Sequence, residues 1–165
     1  MKIRKNNNFF LITLTIFFIS LGAIVNLIVH ELSHLVVLLF CNGEVNSLSI
    51  GISSFVSGYV EQKHIAIIAM SSVIIPAVIT LIISYFRQYY LCCFSCGFII
   101  PTIINSTLGL FAVFFVKDGT RFTYDIALAF DNVNAQWMIV ILTILILLIC
   151  VYVMTKQIAH IYKAL

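Results

Sequence analysis

The chain has 165 residues, of which 62% are hydrophobic and only 9% are charged. Roughly a quarter of the residues of an average soluble domain are charged, so this composition excludes an ordinary soluble globular protein. The net charge of +3 is too small for a nucleic-acid-binding surface, and we expect no nucleic-acid partner. Long uninterrupted apolar runs instead predict an all-α membrane protein with about four transmembrane helices, in a single domain over residues 1–165.

The first apolar block runs from Phe9 to Phe40, which exceeds the roughly 20 residues that one membrane crossing needs. It is either one long tilted helix or two segments broken near Gly22. Basic residues precede the block, as in a signal peptide. The apolar run is too long for a signal peptide, however, and we expect the segment to be retained.

Within this block lies an HExxH sequence, His30-Glu31-Leu32-Ser33-His34. In a helix, the four-residue spacing places both imidazoles on one face, where they can bind one Zn²⁺. The carboxylate of Glu31 can then take a proton from water and deliver it to a leaving amine. Ionisable groups at membrane depth are unfavourable unless they face a polar cavity or a bound ion. The motif predicts a catalytic zinc site; the alternative is a polar trio at the helix end that faces water.

The segment from Glu44 to Gln62 is more polar, and its branched and aromatic residues partly alternate with serine and glycine. This pattern favours short strands or a β-hairpin at the membrane surface, directly after the HExxH helix. Such an extended segment could pair with an unfolded substrate by strand addition, because a helical substrate hides its peptide bonds.

Three further apolar blocks follow: about Ile65 to Phe86, Tyr89 to Val116, and Trp137 to about Thr155. Pro76 lies inside the second block of the chain, where it predicts a kink, and Pro101 lies inside the third. With four spans, both chain ends lie on the side of the turn between the second and third blocks. This side carries six of the nine basic residues, which favours the cytoplasm. Two crossings in the first block would change that count.

A catalytic zinc site needs a third protein ligand and keeps one position open. Three of the six acidic residues lie in the connection before the last block. Asp118 follows the third block in a Lys-Asp-Gly sequence, and Asp125 can open a short amphipathic helix. Asp131 is interpreted as a loop residue beyond that helix. The remaining histidines, His64 and His160, are interpreted as interfacial residues.

In several of these features the chain resembles the site-2 protease family of intramembrane zinc metalloproteases, and specifically its small members with a minimal core. The strongest match is the run from Val29 to Leu35 around the HExxH sequence. A glycine-containing strand segment from Cys41 to Tyr59 and a helix with small residues around Ser71, Ser72 and Ala77 follow. The resemblance covers most of the chain. It implies that His30 and His34 bind zinc, that Glu31 is the catalytic acid/base, and that the third ligand is a distant aspartate.

Two aspartates compete for that role. Larger family members carry the ligand in a Leu-Asp-Gly sequence, of which Asp118 keeps only the Asp-Gly. Small members look more like an aspartate followed by an Ala/Leu-rich helix and an aromatic residue that opens the last span. Asp125 and Trp137 fit this description, so we expect Asp125 to be the ligand, with Asp118 as the alternative. Asn105 could hydrogen-bond the substrate backbone or, alternatively, a neighbouring helix.

The resemblance therefore implies an intramembrane zinc metalloprotease that hydrolyses peptide bonds of membrane-embedded or membrane-proximal substrates. We expect a Zn²⁺ cofactor, a membrane protein or peptide as substrate, and a multi-pass location in a bacterial cell membrane. The departure from the usual downstream aspartate motif leaves an alternative: a non-proteolytic protein of the same fold that acts as an immunity or regulatory partner. A metal transporter is the least favoured candidate, because it would need polar residues spread over several spans.

Overall fold

The computed structural model describes residues 3–49, 55–116 and 125–164, with side chains at 9–47, 58–116 and 125–163. In chain order the elements are α1 (Ile3–Phe40), β1 (Glu44–Ser49), β2 (Phe55–Tyr59), α2 (Gln62–Ser84), α3 (Tyr89–Phe115), α4 (Asp125–Asp131) and α5 (Gln136–Ala164). The expected fold class, a helical membrane protein with a small hairpin after the HExxH helix, is confirmed.

Within the described ranges, four helices are long and apolar enough to cross a membrane: Phe9–Phe40, Gln62–Ser84, Tyr89–Phe115 and Gln136–Lys163. Their backbone groups are paired within each helix, and much of their apolar surface faces outward. The chain therefore has the architecture of a multi-pass integral membrane protein. The core among the helices is built from small and branched apolar residues of α2, α3, α4 and α5.

The first apolar block forms one continuous helix, so the alternative of a break near Gly22 is wrong. Glycine occurs there because α1 crosses α3 at this level: a Cβ at Gly22 would collide with the carbonyl oxygen of Phe94 and stand 2.8 Å from the amide nitrogen of Phe98. Gly97 on α3 faces the Ile19 carbonyl of α1 in the same way. Paired small residues let two backbones approach closely in lipid.

Gly22→Val is therefore expected to destabilise the folded protein in detergent. Overpacking of this kind typically destabilises a protein by about 1–3 kcal/mol. Here the added side chain would clash with the backbone of α3, and no change of rotamer can relieve that clash. Ser20→Val adds bulk to the same helix at an exposed position and should change stability by no more than about 0.5 kcal/mol. Thermal unfolding midpoints of the two variants measure the difference. Equal midpoints would contradict the close crossing.

A buried amide fixes α1 against α3 one turn before the HExxH sequence. Asn26 is 2% exposed, and its Nδ2 donates to the Phe98 carbonyl at 2.6 Å and to Thr102 Oγ1 at 3.0 Å. Since Asn26 and His30 are four residues apart, they lie on the same face of α1. The hydrogen bonds of Asn26 thus fix the orientation of α1 about its own axis, so that the histidines face into the bundle.

The end of α1 turns the chain back onto its own helix. Asn42 adopts a left-handed conformation with φ of 56°. The Asn42 amide donates to the Leu39 carbonyl at 3.0 Å and the Gly43 amide to the Leu38 carbonyl at 2.9 Å, which is a Schellman arrangement. β1 starts at the next residue and pairs antiparallel with β2. A Cβ at Gly58 would meet the Leu38 side chain at 2.6 Å, so the hairpin lies against α1 one turn beyond His34.

The short helix α4 is anchored by its apolar side chains. Ile126, Ala127 and Ala129 are fully buried, and they pack in the common core with α2, α3 and α5. On α3, Gly109 allows the approach, because a Cβ there would stand 2.7 Å from Cβ of Ile126. Asp125 opens α4, as expected, whereas Asp131 is the last residue of the helix rather than a loop residue.

The other helix ends differ slightly from the sequence-based expectation. α5 continues to Ala164, well beyond Thr155, because a helix need not stop where its residues become polar. Gln157 in this extension is 2% exposed and donates to the Ser84 carbonyl at 3.0 Å, which ties α5 to the end of α2. Cys93 and Cys96 are buried in α3 with free thiols.

Candidate metal centre

Both histidines of the HExxH sequence point into the bundle from α1. Their ring centroids are 5.1 Å apart, and the side chains of His30 and His34 are 21% and 13% exposed. Nδ1 of His34 lies 2.9 Å from the Ile68 carbonyl on α2. Since a carbonyl can only accept, Nδ1 must carry the proton, and Nε2 is left to face the site.

Asp125 completes the group from the first turn of α4. Its Oδ2 is 3.1 Å from Nε2 of His30, and its Oδ1 is 3.4 Å from Nε2 of His34. Two further side chains reach the same carboxylate: Ser72 Oγ on α2 at 2.7 Å and Asn105 Nδ2 on α3 at 3.5 Å. Side chains from α1, α2 and α3 thus converge on the carboxylate that α4 supplies.

The spacing of the three potential ligands suits a small metal ion. Their ligand atoms lie within 4.8 Å of one another. In a tetrahedral site with zinc bonds of about 2.0–2.2 Å, neighbouring ligand atoms stand roughly 3.3–3.6 Å apart. The His30–Asp125 and His34–Asp125 separations of 3.1 and 3.4 Å are close to that range.

The donor chemistry at His34 also fits a cation. With its proton on Nδ1, a neutral His34 presents a lone pair on Nε2 to a carboxylate oxygen 3.4 Å away. A carboxylate oxygen offers only lone pairs too. Two lone pairs that face each other repel unless a positive charge, either a proton or a metal ion, lies between them. The residues present are therefore able to hold a metal ion.

Asp125 is suited to carry the negative charge of the group. Burial by itself would raise the pKa of its carboxyl, but hydrogen bonds from His30 and His34, and their charges when the imidazoles are protonated, lower the pKa below the usual value of an aspartate. α4 is not one of the four spanning helices, so this carboxylate is supplied by the segment between α3 and α5.

Glu31 lies beside the group without belonging to it. Its residue is 7% exposed, and its Oε1 is 3.8 Å from Nε2 of His30. This distance is too long for a direct hydrogen bond, so the Glu31 carboxylate is not paired with His30. A general base has to stand in this kind of position, within reach of a water but not bound to the metal.

The other residues singled out in the sequence take different places. Asn105 reaches Asp125 from α3, while Asp131 lies exposed at the opposite end of α4. His64 and His160 do not join the metal-ligand group in the described part of the chain. Asp118, the alternative third ligand, lies outside the described residues. The geometry brings Asp125 to the histidines, and its role as a ligand stays a prediction.

Neither Ser72 nor the Ile68 carbonyl could be assigned a role from the sequence. Ser71 and Ser72 were noted only as small residues in an apolar helix. The signal that could have identified Ser72 is a hydroxyl in a long apolar span, which needs a polar partner when buried.

No protein-family model, no curated protein and no solved structure matches this chain. The resemblance to site-2 proteases therefore stays a prediction from the sequence.

Proposed function

We propose that the protein is an intramembrane zinc metalloprotease with His30, His34 and Asp125 as zinc ligands and Glu31 as its catalytic acid/base. The observation that carries this proposal is the approach of the Asp125 carboxylate to both imidazoles of the HExxH helix, at 3.1 and 3.4 Å. Two histidines and one carboxylate with an open fourth position are the ligand set of many zinc hydrolases.

Each side chain has a defined task in peptide hydrolysis. When bound, zinc polarises the scissile carbonyl and makes water a nucleophile near neutral pH. Glu31 accepts a proton from the attacking water and then donates it to the amine nitrogen as the carbon–nitrogen bond breaks. One water is consumed, and a carboxyl and an amine are released. The Ile68 carbonyl keeps His34 in the tautomer that directs Nε2 to the site.

The hairpin is the proposed substrate-binding element. It follows α1 directly and lies against Leu38, one helical turn beyond His34. An extended substrate segment that pairs with one of its strands would present peptide bonds near the histidines. Val45 and Tyr59 are exposed at 38% and 74% and would border such a segment.

Metal content and cleavage test the proposal together. Protein purified in detergent is expected to contain about one zinc per chain, as a three-ligand catalytic site requires. It should cleave a transmembrane peptide, and a chelator should abolish cleavage until zinc is restored. His30→Ala combined with His34→Ala is the control and should lack both metal and activity. A folded wild-type protein without any bound metal would remove the proposal.

A further inference from the structure

Among the described residues, the hydroxyl of Ser72 makes the shortest hydrogen bond to the Asp125 carboxylate. Ser72 is 2% exposed on α2, and its Oγ is 2.7 Å from Oδ2 of Asp125. The same Oγ is 2.9 Å from the Ala69 carbonyl of its own helix. A serine hydroxyl has only one proton, so it can donate fully to only one of these two acceptors.

The carboxylate is the stronger acceptor of the two. Hydrogen bonds to an ionised carboxylate are shorter and roughly twice as strong as those between neutral groups. The shorter of the two distances is also the one to Asp125. The proton of Ser72 is therefore directed away from its own helix, across to α4, and onto the candidate ligand.

We propose that Ser72 is a positioning residue that orients the Asp125 carboxylate towards His30 and His34 for metal binding. This inference rests on the proposed zinc site. A carboxylate in the first turn of a short helix can rotate about its side-chain bonds. A fixed donor on Oδ2 restricts that rotation and leaves the remaining lone pairs directed at the imidazoles. Groups that orient a metal ligand in this way typically change metal affinity by about 10–100-fold when removed.

The test measures zinc affinity in detergent by competition with a chromogenic chelator. Ser72→Ala is expected to weaken zinc binding about 10–100-fold, without losing any ligand. Ser95→Ala is the matched control, since it removes the same atom from a fully buried serine on α3 whose hydroxyl has no hydrogen-bond partner among the described residues. The Ser95→Ala protein should bind zinc as the wild type does. Ser72→Thr keeps the hydroxyl and should restore affinity.

Two readouts separate positioning from general packing. In cobalt-substituted protein, Ser72→Ala should alter the visible absorption of the metal, because the carboxylate changes its orientation. In an Asp125→Ala background the Ser72 hydroxyl returns to the Ala69 carbonyl, so adding Ser72→Ala should cause no further loss of affinity. Equal losses in both backgrounds, or an unchanged cobalt spectrum, would overturn the inference. If Ser72→Ala does not fold, Ser72→Thr decides: a folded threonine variant that binds zinc more weakly than the wild type, or whose cobalt spectrum differs from the wild type, would contradict the inference.

The inference and the proposed function can fail separately. If the wild-type protein binds zinc and Ser72→Ala leaves the affinity unchanged, the role of Ser72 is overturned, while the proposed protease function is unaffected. A protein that binds zinc, responds to Ser72→Ala and cleaves nothing supports the role of Ser72 and removes the protease. A folded wild-type protein that binds no zinc overturns both.

Discussion

Asp125→Ala is expected to abolish peptide cleavage and to lower zinc affinity by more than the roughly 100-fold that loss of an outer partner can cause. Asp125 supplies the only negative charge among the three potential ligands, and its oxygens lie 3.1 and 3.4 Å from the two imidazoles. Without it, two neutral histidines remain, and a divalent ion loses both a ligand and charge compensation. Zinc content after dialysis and cleavage of a membrane peptide measure the two effects.

The neighbouring aspartates provide the controls for this prediction. Asp131→Ala changes an exposed residue at the far end of the same helix and should alter neither quantity. Asp118→Ala should also be tolerated. If Asp118→Ala removes activity and Asp125→Ala does not, the third ligand has been assigned wrongly. If both variants retain activity, the assignment is reduced to His30, Glu31 and His34.

Glu31→Gln is expected to reduce cleavage by about 10²–10⁴-fold, the contribution usual for a general acid/base, while zinc content stays unchanged. The amide has almost the same size as the carboxyl but cannot accept the proton of the attacking water. Glu31 lies outside the ligand group, with its Oε1 3.8 Å from His30. Cleavage rates and metal content of the same preparation give the two measurements.

Glu61→Gln is the matched control for this substitution. Glu61 is exposed, and a hydrogen bond from Lys63 lowers the pKa of its carboxyl. Such surface pairs contribute little to stability, so cleavage should be unaffected.

The cellular effect of Glu31→Gln also separates the two candidate functions. An immunity or regulatory protein would keep its effect with glutamine at this position, whereas a protease would lose it.

The sequence was sufficient for the fold class and for the common position of the two histidines because both leave strong local signals. Apolar runs longer than a membrane is thick predict spans, and the hairpin follows from the alternation of serine and glycine with branched residues. The spacing of His30 and His34 fixes their common face on any helix. Asp125 was favoured over Asp118 because the resemblance to the small family members implies an aspartate followed by an Ala/Leu-rich helix. Residues of that helix are buried in the core.

Other features depend on contacts between distant segments and were not accessible in this way. Gly22 suggests a break when α1 is considered alone, yet α3 crosses there and the glycine is needed within an unbroken helix. The bond from Ser72 to Asp125 joins residues of α2 and α4 across the bundle. Whether a serine in a span pairs with its own helix or with another one is decided by packing alone.

The length of α1 has a consequence for the surrounding lipid. Its apolar part, Phe9–Phe40, comprises 32 residues and is about 48 Å long at 1.5 Å per residue. A hydrocarbon layer of about 30 Å accommodates roughly 39 Å of helix at a steep tilt of about 40°. The excess matches the stretch before Thr15, whose hydroxyl meets Tyr89 at the start of α3. A hydrophobic mismatch of this size is expected to thicken the bilayer around the protein and to favour membranes with longer acyl chains.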